Sequence, residues 1–185
     1  MATEVKIREA SPPDTGVVAD ILNEAARWLE QAGTPMWKAN ELELESIAAD
    51  IDERLFFIAE HSGVAAGVIK FELDDPKFWP DMLQHDGAYV HRFAVRRSHA
   101  GTGLSTALLR WAVERTRGLR RRYLRLDCEA SRPRLRAIYE SFGFRYHSDR
   151  HVGPYHVSRY EYDVLGDGAA AAGSLALRLR DPRQS

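Results

Sequence analysis

The chain has 185 residues, which is enough for one domain with a full core and short for two. Apolar residues make up 44% and charged residues 29%, and the formal net charge is −1, so bulk charge gives no footing for nucleic acid or an anionic membrane as partner. A single cysteine, Cys128, excludes an internal disulfide framework and fits a reducing compartment.

"MATEVKIREASPP" has neither the basic start nor the apolar stretch of a signal peptide, and no apolar run approaches the roughly 18 residues of a membrane span. A cytoplasmic protein without a membrane partner is therefore expected. "VKIRE" alternates apolar and polar residues, as a short strand does. A helix follows, with Asp14 and Thr15 available as caps, Val17, Val18, Ile21, Leu22, Ala25, Trp28 and Leu29 on one face, and Gly33 as its stop. "ELELESIAADIDE" fits a second amphipathic helix with Leu42, Leu44, Ile47, Ala48 and Ile51 apolar. "RLFFIAEHSGVAAGVIKFEL" reads as two strands around a His61-Ser62-Gly63 turn.

"DDPKFWPDMLQHDG" carries two prolines and several acids and is expected to be a loop. "AYVHRFAV" is a strand, "GLSTALLRWAVERTRG" a helix, "YLRLDCEA" a strand and "RPRLRAIYESFG" a helix ending at Gly143. "FRYHSD" and "VSRYEYDV" close the series as a strand pair. The order is β-α-α-β-β-β-α-β-α-β-β, an α/β or α+β layered domain over residues 1–164. Residues 165–185 shift to "GDGAAAAGSLALRLRDPRQS", a mobile tail, although the alternation in "LALRLR" would also suit an added edge strand or a partner contact.

Gly101 and Gly103 lie between the strand ending at Val95 and the helix after it, in "VRRSHAGTGLSTALL". A mononucleotide loop needs Gly-Lys-Ser/Thr, and no Gly-Lys pair occurs in the chain. A dinucleotide loop needs a third glycine three residues after the second, where Thr106 stands. A third reading survives both tests: the amides of residues 100–105 point outward at the positive end of a helix and bind a diphosphate.

"FAVRRSHAGTGLSTALL" resembles the acyl-CoA-binding motif of the GNAT superfamily of N-acetyltransferases, and "SRPRLRAIYESFGFRY" is similar to that family's second signature. The resemblance covers roughly residues 4–164 of the chain. Departures are Ala100 for Gln or Arg, Ser105 for the last small residue, Arg97 for a common proline and Arg132 for a frequent asparagine; backbone amides survive all four. The resemblance implies a mixed, mostly antiparallel sheet of six to seven strands flanked by about four helices, with one splayed strand pair. It also implies acetyl-CoA as co-substrate, bound by Ala100, Gly101, Thr102, Gly103, Leu104 and Ser105 at its diphosphate and by Phe93, Ala94 and Val95 along its arm.

Within that frame the acetyl group passes directly to a primary amine of a small, cationic acceptor. Tyr139 is implied as the group that meets the departing thiolate, and also as a cofactor contact. Asp127 stands where related aminoglycoside-modifying members place an acid, with Glu129 and Glu72 as further candidate bases. His91 and Tyr89 share a strand face and could orient a water relay. Trp28, Trp37 and the "DDPKFWPD" loop fall in segments that wall the acceptor side in the family, so Trp28, Trp37, Glu72 and His91 are the expected acceptor contacts. The acids Glu41, Asp74, Asp75 and Asp81 would suit a cation there.

The arginines of "ERTRGLRRRYLR" read as a solvated turn, one of them in reach of a 3′-phosphate. The dispersed histidines, among them His151 and His156, and the missing HExxH pattern give no metal site, and Cys128 reads as core rather than nucleophile. The partners expected are a small amine and a second copy in a homodimer. Competing readings are an acyl-CoA-binding regulatory domain without turnover, or acetylation of a protein N-terminus, a lysine or an aminoacyl-tRNA.

Overall fold

The computed structural model describes residues 5–37, 41–82 and 85–166. The elements run β1 (Val5–Glu9), α1 (Thr15–Gln31), α2 (Leu44–Asp52), β2 (Phe56–His61), β3 (Val64–Glu72), β4 (Gly87–Val95), α3 (Leu104–Gly118), β5 (Tyr123–Glu129), α4 (Pro133–Phe142), β6 (Arg145–Val152) and β7 (Tyr155–Asp163). This is the order expected from the sequence. The seven strands form one sheet, ordered β1-β2-β3-β4-β5-β7-β6, and only the β4–β5 pair is parallel.

Both faces of the central strands are covered, which is why "FFIA" and "AAGVIKF" read as nearly continuous apolar runs. Phe56 and Ile58 join Val18, Ile21, Leu22, Ile47 and Ile51 beneath α1 and α2, whereas Phe57 and Ala59 join Leu104, Leu108, Leu109, Leu124 and Leu126 beneath α3. Each fully buried leucine or isoleucine contributes about 1.5–3 kcal/mol. The tight β2–β3 turn places Ser62 and Gly63 at φ 53° and 78°.

Several local expectations are corrected. Asp14 makes no side-chain bond to α1; Arg8 takes both its oxygens at 2.8 Å, and Ser11 shares one. Helix α2 starts at Leu44, so Leu42 is buried ahead of it while Leu44 is 53% exposed. The arginines at and after the end of α3, expected as a solvated turn, are partly engaged. Arg117 donates to the Val164 carbonyl, Arg121 to the Leu73 and Gly87 carbonyls, and Arg122 to Asp163, so they tie the end of α3 to neighbouring strands.

The residue 74–82 segment is a loop, as expected, but it carries a core residue. Asp75 accepts from the Lys77 and Phe78 amides and turns the chain, and Trp79 then packs over the sheet face that α1 and α2 leave uncovered. Arg125 and Arg159 lie 5.6 and 4.7 Å from the Trp79 ring centroid. Arg125 is itself buried between Asp86 at 2.6 Å and Glu161 at 2.8 Å, close enough to Gly87 that a Cβ there would collide with its guanidinium.

Among the described residues no helix is long and apolar enough to cross a membrane. The tail from residue 167 onward, with its "LALRLR" stretch, lies outside the described residues.

Candidate active site

The β4–β5 pairing runs from Gly87↔Tyr123 to Val90↔Leu126 and then stops. Beyond it β5 continues against β7 and β4 continues against β3, so the two strands fork. Among the described residues the backbone edge of Phe93, Ala94 and Val95 that would face β5 has no strand partner.

A bulge sits at the fork. Val68 pairs with Ala94 but Lys70 with His91, so Ile69 alone opposes both Arg92 and Phe93. Arg92 takes the left-handed conformation, φ 45°. The extra residue slips the alternation: Ala88 and Val90 face the α3 core, and so do Phe93 and Val95. His91 and Arg92 consequently both point to the opposite face, at the mouth of the fork. The slip is legible in "AYVHRFAV", where the apolar phase moves from even to odd positions, although alternation alone predicts an unbroken strand.

On that face His91 Nε2 lies 3.1 Å from Asp75 Oδ2 and 3.7 Å from Glu72 Oε2. Glu72 also pairs with Lys70 at 3.1 Å, and Lys70 with Asp50 at 3.0 Å. Asp127, the first β5 residue past the pairing, completes a set with Asp75 and His91 whose donor atoms lie within 4.8 Å of one another. Asp127 Oδ1 is buried with no hydrogen-bond partner, and Asp75 Oδ2, though at ion-pair distance from His91, is off the line of a hydrogen bond. Burial, reinforced by Asp75, pushes the Asp127 carboxyl up to about 6, against the pull of His91, Trp79 and Lys77. Burial disfavours charge on His91, but Asp75, Asp127 and Glu72 together outweigh it and raise its pKa. Asp75, His91 and Asp127 have the donor types for a small divalent ion, but the same carboxylates favour the protonated His91 ring, which binds no metal.

The other acids expected to attract a cation are largely neutralised. Asp81 is taken by Arg159 at 2.6 Å and Arg150 at 3.4 Å, and Glu41 lies 3.9 Å from Arg92. Trp37 lies beneath Arg92 at 5.6 Å, so it belongs to this face. Trp28 is 40% exposed and carries the Arg97 guanidinium 4.0 Å from its ring centroid, which ties it to the turn after β4. Tyr89 accepts from Arg125 at 3.2 Å and packs near Trp79, so it belongs to the buried arginine network beside the site. Glu129 shares the Asp127 face of β5, opposite Val157.

On the α4 side of the fork Tyr139 is buried against Phe144 and Tyr160. Burial, reinforced by the neighbouring Cys128 and Asp127, raises its phenol well above the ordinary tyrosine value, so it is a donor at neutral pH. Cys128 is buried and its thiol is pushed up to about 12 by burial and Asp127, which suits core packing and not nucleophilic attack. Arg132, which replaces the frequent asparagine, donates to the Thr34 and Pro35 carbonyls and fixes the start of α4 to the segment after α1.

The glycine turn departs from expectation in part. The Ala100 and Thr102 amides bond internally, to the Arg97 and His99 carbonyls at 3.1 and 3.4 Å. The amides of Gly101, Gly103, Leu104, Ser105 and Thr106 donate to no backbone or side-chain group among the described residues. Gly101 and Gly103 have φ 78° and 83°, and a Cβ on either would meet nothing within 4 Å, so the space above these amides is open to an anion. Leu104 contributes its amide while its side chain is core. From Ser105 and Thr106 a cleft of about 890 Å³ runs between α3 and α4, past Leu109, Arg110 and Ile138.

Comparison with known proteins agrees with this architecture. Residues 19–144 match the acetyltransferase (GNAT) family. The uncharacterized N-acetyltransferase YesJ of Bacillus subtilis is 26% identical over 139 residues, covering 72% of this chain and 77% of that protein. A GNAT-family acetyltransferase from Listeria monocytogenes superposes with a TM-score of 0.73 at 24% identity, over 86% of this chain and 94% of that one. The yncA protein of Salmonella typhimurium, solved with its cofactor acetyl-CoA, gives a TM-score of 0.67 at 18% identity, over 87% and 94%.

Proposed function

The chain belongs to the GNAT acetyltransferase family, and from that premise we propose that it transfers the acetyl group of acetyl-CoA directly to a primary amine at the β4–β5 fork. The observation that carries this reading is the convergence, at one break in strand pairing, of an anion-ready turn, an open β4 edge, a buried carboxyl and a buried phenol.

The amides of Gly101, Gly103, Leu104, Ser105 and Thr106 hold the diphosphate, with Ala100 and Thr102 shaping the turn. Phe93, Ala94 and Val95 pair with the amide-bearing arm as an added strand would. The thioester supplies an activated acyl carbon. The amine nitrogen attacks that carbon, Asp127 takes the proton the nitrogen sheds, and Tyr139 donates to the sulfur as the C–S bond breaks. A carboxyl poised near pH 6 accepts such a proton better than an ordinary aspartate does.

The test is thiol release from acetyl-CoA against a panel of amines, with Tyr139→Phe as the partner variant. Turnover is expected on at least one amine. Tyr139→Phe is expected to lower kcat about 10- to 100-fold while acetyl-CoA affinity by calorimetry stays within about twofold. Acetyl-CoA binding without thiol release on any amine would favour a regulatory domain.

A further inference from the structure

The acceptor face holds one cation that the fold pairs only loosely. Among the described residues the half-buried and buried arginines make hydrogen bonds, Arg96 to Glu24 and Asp20 and Arg159 to Asp81 among them, with two exceptions. Arg115 is one, and it lies 4.5 Å over the Phe57 ring beside two further aromatic rings. Arg92 is the other: it has a single ring, Trp37, at 5.6 Å, and its nearest carboxylate, Glu41, at 3.9 Å. Beyond that long ion pair its five donors make no hydrogen bond to a described residue, at a site where burial pulls its pKa below the ordinary arginine value, with Glu41 and Asp50 offsetting that only in part.

The position is as informative as the lack of partners. The bulge that makes two consecutive β4 residues share a face sets Arg92 beside His91, across the fork from Asp127. Asp127 Oδ1 is in turn a buried carboxyl oxygen without a hydrogen bond among the described residues. The fork therefore presents, among the described residues, one guanidinium without a hydrogen bond and one carboxyl oxygen without one on the same face, while the surrounding acids are engaged by Lys70, His91 and Arg159.

We propose that the acceptor is a zwitterion, an α-amino acid whose carboxylate is taken by Arg92 and whose amine is delivered to Asp127. The proposal rests on the transfer reading above and narrows its acceptor from any amine to one carrying an anion close to the nitrogen. A planar guanidinium meets a carboxylate through two parallel N–H···O bonds, which fixes the amine's direction as well as its presence. The reaction balances without another reagent. The ammonium gives one proton to Asp127, the N–C bond forms, the C–S bond breaks, a second N–H proton leaves the nitrogen as Tyr139 supplies one to the thiolate, and the products are an N-acetyl amino acid, coenzyme A and one proton released through Asp127.

The experiment compares α-amino acids with their own carboxamides and methyl esters, for the wild type and for Arg92→Gln and Arg92→Lys. The wild type is expected to prefer the free acid by about 10- to 100-fold in kcat/KM. Arg92→Gln is expected to collapse that ratio through acceptor KM, with acetyl-CoA KM unmoved, and Arg92→Lys to restore part of it. Amides or esters used as well as acids, or a ratio unchanged in Arg92→Gln, would overturn the zwitterion while leaving the transferase reading intact. If no compound is turned over, the transfer reading falls, and calorimetry of the amino acid on wild type and Arg92→Gln decides the Arg92 site separately: heat lost in the variant supports it, and no binding to the wild type overturns it.

Discussion

Asp127 shows how one residue's place decides its chemistry. On β5 it alternates with Leu124, Leu126 and Cys128, so it had to face the other side of the sheet, and that much follows from a period of two. Its raised carboxyl depends on burial and on Asp75, a loop residue 52 positions earlier whose approach no local pattern reveals. With a folded pKa above the unfolded one, the group costs stability as it ionises, from about pH 4 to about pH 6 and beyond. Asp127→Asn should therefore raise neutral-pH stability by about 1–2 kcal/mol, a gain that fades below about pH 5 in denaturant titrations. The same variant should lose the acid limb of kcat/KM centred near pH 6, with kcat down about 100-fold. An intact limb would move the base role to Glu72, Glu129 or water.

At the scale of elements, the turn before α3 is the most legible feature, yet the sequence shows only part of its hydrogen bonding. Two glycines before a leucine-bearing helix announce a left-handed approach to an N-terminus, and both have positive φ. The two internally bonded amides, at Ala100 and Thr102, come from the short helical turn over residues 97–99, which no glycine signals. Gly103→Ala puts a Cβ into open space at φ 83°, so its strain is that of the backbone, about 1 kcal/mol. Gly63→Ala, at φ 78° in the β2–β3 turn, carries the same strain away from the site. Calorimetry should show acetyl-CoA affinity at least about tenfold weaker in the first and unchanged in the second. Equal affinities in both would remove the turn from the binding site.

Across the whole molecule, distant segments are pinned by ion pairs. Arg8 of β1 holds Asp14 and Glu60, and Arg159 of β7 holds Asp81 of the loop that carries Trp79. The Arg8 guanidinium holds the Asp14 carboxyl far below the usual range, and Arg159 lowers Asp81 to about 2. Depressed carboxylates stabilise the fold above their unfolded pKa of about 3.9 and lose that contribution as pH falls through the folded value. The thermal midpoint should thus drop between about pH 4 and pH 2, and Asp81→Asn should flatten part of that drop. Asp81 is 43% exposed, so solvent screening keeps its share small.

The sequence by itself determined the succession of elements, the two apolar layers and the glycine turn, because each is written in spacing: a period near 3.6, a period of two, and φ values that only glycine adopts cheaply. The tertiary structure alone decided where β4 and β5 part and that Asp75 and Trp79 close over Asp127. Such features arise when residues far apart in the chain meet away from water. There the desolvation of a charge and the lack of a partner for it, neither of which any window of sequence contains, set what the residue can do.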